Sequence, residues 1–157
     1  MPMIFLEDFS KFLLFLHLVA AVVLMGCLAH NLLIVVGYWR GKFRKKNVEK
    51  RHVKMAFWAY LVTFLIGALV YPTFRVRVRA EYFDESVPWA TGLFEVREHW
   101  SAIGLALFIA FYFLRGKFDP ETEREKLFLY TALCYILNLI VWYCATVGYY
   151  LTTLKSV

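Results

Sequence analysis

The sequence predicts an all-α fold: an integral-membrane four-helix bundle running up-down-up-down, with both termini on the outer side. Three observations predict it. The 157-residue chain is 61% hydrophobic with a mean hydropathy of +0.57, well above the apolar content of about 45–50% usual in soluble domains. Four apolar stretches approach or exceed the roughly 20 residues a helix needs to cross a bilayer. The basic residues are shared unevenly between the connections. The length suits one domain, so residues 1–157 are expected to form a single transmembrane unit.

The first stretch covers about residues 12–39. Glu7 and Asp8 precede it, Lys11 stands alone, and the apolar run is long. A secretory signal needs a basic start and a short apolar core, so this is a retained helix. The second stretch, about 55–71, is expected to stop at Pro72, which lacks the N–H that continues a helix. An outer loop then covers 72–99. In it Phe74, Val76 and Val78 alternate with Arg75, Arg77 and Arg79, the two-residue period of an extended segment. Its arginines either meet lipid headgroups and its own acids, or cap the outer end of the bundle. Pro88 and Gly92 are expected to break the second half of the loop. The third stretch covers about 100–114 and the fourth about 127–151. Small residues mark expected close contacts, among them Gly26, Gly67, Gly104 and Gly148.

Charge sets the orientation. The connection RGKFRKKNVEKRHVK carries eight basic residues and one acid, and RGKFDPETEREK carries four of each. Together they hold 12 of the 18 basic residues, so both are placed on the cytoplasmic side. The net charge of +6 is then a topology signal and an attraction to anionic headgroups, with no nucleic-acid partner implied. The expected partner is the lipid bilayer, in a bacterial cytoplasmic membrane.

Four histidines carry the chemistry. With this topology His17 on helix 1 and His99 at the start of helix 3 lie toward the outside. His30 on helix 1 and His52 at the start of helix 2 lie toward the cytoplasm. Ionisable residues in membrane segments are functional hypotheses by default. Two imidazoles at one depth on two helices suit axial ligation of a b-type haem. His17 and His30 are separated by about 20 Å along the helix axis, and by about 140° around it. Each histidine also has a plainer reading, as an interhelical hydrogen-bonding group or, for His52 between Arg51 and Lys54, as a solvated residue.

These layered pairs resemble the di-haem transmembrane cytochromes b of respiratory chains and the haem-bearing membrane anchors of quinone-linked oxidoreductases. The resemblance implies two haems b, or a single one, with His17 and His99 as outer ligands and His30 and His52 as inner ligands. It implies electron transfer to or from quinone, other subunits of a membrane redox complex as partners, and substrate chemistry left to those partners. Arg75 and Arg97 could meet the propionates of the outer haem, and Arg40, Lys42 or Lys54 those of the inner one.

Other classes find less in the sequence. Cys27, Cys134 and Cys144 form no CxxC or CxxCH pattern, against thioredoxin-like or c-type haem chemistry. No HExxH-type zinc pattern, Gly-rich phosphate loop or GxSxG is present. The rivals that stay open are a non-redox scaffold subunit, a membrane oxidase of haem metabolism, and a small transporter.

Overall fold

A computed structural model describes Ile4 and residues 6–157. Among these residues every regular element is helical. Four long helices, α1 (Ser10–Trp39), α2 (Lys46–Phe74), α3 (Pro88–Lys117) and α4 (Leu127–Leu154), dominate. All four are long and apolar enough to cross a membrane. Large apolar side chains are exposed along them, including Leu33, Phe113 and Phe128, as expected where lipid is the solvent. Helix α1 packs on α2, α2 on α3, α3 on α4, and α4 returns to α1.

Two of the helices begin well before their apolar stretches. Helix α2 starts at Lys46 because its polar turns already carry an inward stripe: Glu49, Val53, Ala56 and Tyr60 are all buried, at helical spacing. Helix α3 starts at Pro88, which occupies the first turn, where no intrahelical donor is needed. Gly92 lies inside that helix, so the expected break is absent.

The segment from Pro72 onward also departs from expectation. Pro72 lies within α2. The chain then continues as a π-helical stretch, Arg75–Phe83, and a short turn, Asp84–Ser86. Widened turns of this kind relieve interrupted hydrogen bonding near proline. The alternation of Arg and Val is therefore wound into a helix rather than extended. Val78 and Phe83 turn inward and are fully buried, whereas Val76 is exposed. They form a second, smaller core with Ala90, Phe94 and Leu151, and Phe74 stacks on Phe94 at 4.1 Å between ring centres. The acids of the sequence serve the arginines: Arg77 pairs with Glu7 at 2.7 Å and Glu81 at 3.1 Å, and Arg79 with Glu95 at 2.6 Å.

The main core fills the opposite half, with Leu28, Val35, Tyr38, Val53, Phe108, Phe111, Tyr130 and Leu137 all nearly inaccessible. Close approach between α2, α3 and α4 occurs at Gly104. A Cβ there would collide with the Tyr60 hydroxyl and stand 3.0 Å from Ile140 Cγ2. Gly26, by contrast, faces open space.

The α3–α4 connection is held by charge. Asp119 accepts from the Glu121 backbone N–H at 3.0 Å and from Lys46 at 3.2 Å. The Glu121 N–H first, then Lys46, holds the Asp119 carboxyl below its ordinary value. A carboxyl lowered on folding contributes stability above its unfolded pKa and loses it as pH falls through the folded one. Exchange protection of the backbone N–H groups between Phe118 and Lys126, corrected for the intrinsic pH dependence of exchange, is therefore expected to fall below about pH 4, with Asp119→Asn reducing the dependence. Protection factors unchanged across this range would refute the role given to Asp119.

Candidate functional site

The structure brings His30 and His52 together. The His30 Nδ1 and His52 Nε2 atoms are 3.1 Å apart, and the rings meet edge to face with centres 4.5 Å apart. His52 Nδ1 lies 2.8 Å from the Val48 carbonyl, one turn back on α2. A carbonyl oxygen only accepts, so Nδ1 of His52 carries the proton. In the neutral ring Nε2 then holds the lone pair, and His30 Nδ1–H donates to it. Histidines that ligate metals are commonly oriented in this way, one nitrogen fixed by a backbone carbonyl and the other left as a donor atom.

An apolar groove of about 460 Å³ runs between the same two helices, lined by Ala20 and Val23 of α1 and Lys54, Met55, Trp58, Ala59 and Val62 of α2; neither histidine lines it. Val23 is seven residues from His30, and Ala59 seven from His52. Seven residues is nearly two helical turns, so groove and histidines share one face. The groove is open to the outside of the bundle, since Val23, Met55, Trp58 and Val62 are all exposed.

His17 and His99 stand apart. The His17 ring lies against Gly67 of α2, where a Cβ would come within 3.4 Å of its Cε1. Its Nδ1 is buried without a hydrogen-bond partner. The His99 ring is exposed, and its Nδ1 donates to the Glu95 carbonyl at 2.7 Å. Arg97, two residues earlier on α3, turns inward instead: its Nε donates to the Cys144 carbonyl of α4 at 3.0 Å. Two residues span about 200° of helix, which puts His99 and Arg97 on nearly opposite sides. Arg75 is exposed at the start of the π-helical stretch.

A second polar centre has its signal in a detail of the sequence: Glu49 is the single acid in the connection with eight basic residues. Its side chain is wholly buried. The Arg115 Nε donates to Glu49 Oε2, the Tyr130 hydroxyl donates to Oε1, and the Tyr38 hydroxyl donates to Oε2 at 3.3 Å. The rest of the Arg115 fork donates to the Phe118 carbonyl at 2.7 Å and the Lys46 carbonyl at 3.1 Å. One residue from each of the four helices thus meets at a satisfied buried charge.

Among the described residues no group of three or more His, Cys, Asp or Glu is placed to hold a metal ion. No protein-family model matches the chain, and neither a curated protein nor a solved structure does. The functional reading therefore rests on the residues themselves.

Proposed function

We propose that this is a b-type haem protein of the membrane, transferring electrons as a subunit of a quinone-linked redox complex. The observation that carries the proposal is the His30–His52 pair on the groove-bearing face of α1 and α2. The donor set fits the group: two imidazoles from two helices, one already oriented by Val48. The groove offers an apolar wall with an aromatic ring, Trp58, and Lys54 offers a cation for a propionate. Ligation by His30 and His52 would exchange the 3.1 Å hydrogen bond between them for bonds to the metal.

When bound, haem would supply one-electron chemistry. The chain's own part is to fix the His52 tautomer, offer an apolar wall, and compensate acidic edge groups with Lys54. A second haem would require His17, packed on Gly67, and the exposed His99 to turn toward one another. The up-down-up-down arrangement with both termini outward belongs to the same proposal. It is supported by the order of contacts: His17 meets Gly67, His30 meets His52, and Tyr38 meets Glu49. As numbers rise on α1 they fall on α2.

The test is a dithionite-reduced minus oxidised spectrum of the detergent-purified chain, with pyridine haemochrome quantitation. The expected result is one haem b per chain, lost in both His30→Ala and His52→Ala and retained in His99→Ala. Two haems per chain would add the outer layer. Protein free of haem after expression in haem-replete cells would overturn the proposal and favour a scaffold subunit.

A further inference from the structure

We propose that the outer half of the bundle contains a binding site for a monoanionic carboxylate, built from Arg97 and His17 and separate from the His30–His52 pair. The guanidinium of Arg97 offers five N–H donors. One of them meets the Cys144 carbonyl, and among the described residues no carboxylate forms an ion pair with Arg97. The contrast with the other enclosed arginine is plain, since Arg115 has Glu49. Arg77 and Arg79 also have acids. Arg97 is half-buried, with its guanidinium carbon 5.9 Å from the centre of the Phe94 ring, and a partly desolvated charge without an ion-pair partner is costly.

The imidazole of His17 is the second polar group without a full set of partners, through its buried Nδ1. Arg97 is the charged residue whose field reaches it. Both side chains lie on glycine floors. A Cβ at Gly148 would stand 3.1 Å from the Arg97 Cζ and Nη2, and one at Gly67 would stand 3.4 Å from His17 Cε1. All four helices therefore contribute: His17 from α1, Gly67 from α2, Arg97 from α3 and Gly148 from α4.

Charge and shape select the ligand class. A planar guanidinium fork matches a carboxylate through two parallel hydrogen bonds. Among the described residues no carboxylate is ion-paired with this fork, and a single negative charge would supply one. A phosphate dianion would add a second charge beside Glu98, the acid whose field already reaches Arg97. A neutral carbonyl would leave the guanidinium uncompensated. The carboxylate could come from a fatty acid in the bilayer or from a haem propionate, and the chemistry recognised is the same.

The experiment is titration of the full detergent-solubilised chain with octanoate, monitored by calorimetry and by the carbon-13 shift of its carboxylate. Saturable 1:1 binding is expected, weakened at least tenfold in Arg97→Gln and less in Arg97→Lys, with octanol and octyl phosphate binding more weakly. Gly148→Val should block the site while His52→Ala leaves octanoate binding unchanged. Comparison of haem-free and haem-loaded protein separates the sources: competition by haem identifies a propionate, and unaltered binding identifies a fatty acid. Absence of octanoate binding to the wild-type chain, or equal binding by correctly folded Arg97→Gln and Arg97→Lys, would overturn the proposal. The haem content of the same samples reads the electron-transfer proposal independently.

Discussion

Replacing Arg115 with methionine is expected to destabilise the protein by about 3–5 kcal/mol, the cost of leaving a buried charge without its partner. The Glu49 carboxylate would keep Tyr38 and Tyr130 as donors but lose its ion pair with Arg115. The carbonyls of Phe118 and Lys46 would lose donors as well. The double substitution Glu49→Met/Arg115→Met should recover much of the loss, because matched apolar groups replace a buried pair at little net cost. Reversible unfolding in mixed detergent micelles would measure both. A single variant as stable as the wild type, or a double variant worse than either single, would contradict this account.

The second large effect is expected at Gly104. Gly104→Val places branched carbon where the Tyr60 hydroxyl and Ile140 already sit. Overpacking costs about 1–3 kcal/mol, and displacement of Tyr60 also breaks its 2.7 Å hydrogen bond to the Ser101 carbonyl. A total near 3 kcal/mol is expected, since an ordinary hydrogen bond adds about 1 kcal/mol. The smaller change Gly104→Ala carries the diagnostic. Its cost should fall when Tyr60→Phe is added, because the colliding atom is the hydroxyl. Strict additivity of the two substitutions in the same unfolding assay would mean that the close approach is not what Gly104 provides.

The helices are legible in the sequence where their apolar runs are long. Helix α4 is expected over about 127–151 and spans Leu127–Leu154, because grease continues almost to its ends. Helices α2 and α3 are longer than their apolar runs. Their outer turns are charged, and hydropathy cannot see that Glu49 and Arg115 point inward at each other. Pro72 and the Arg–Val alternation mislead for a related reason. Local rules describe a chain on its own, whereas Val78 and Phe83 are wound inward against Phe94 and Leu151 of other helices. Depth along the helices suffices to pair His30 with His52. It does not resolve rotation, so it gives no sign that Arg97 faces inward while His99 faces out.

The Glu49–Arg115 contact has a consequence for how the chain comes to exist in a membrane. The two charges are separated by 66 residues of sequence, so the α1–α2 hairpin leaves synthesis carrying a carboxylate whose counter-ion has yet to be made. The Tyr130 donor arrives later still. The first half of the protein is therefore an incomplete object in electrostatic terms, and no amount of local helix formation completes it. Docking of α3 and α4 brings the Arg115 and Tyr130 donors to that carboxylate, so the four helices are expected to be completed as one product of biogenesis rather than as two stable halves.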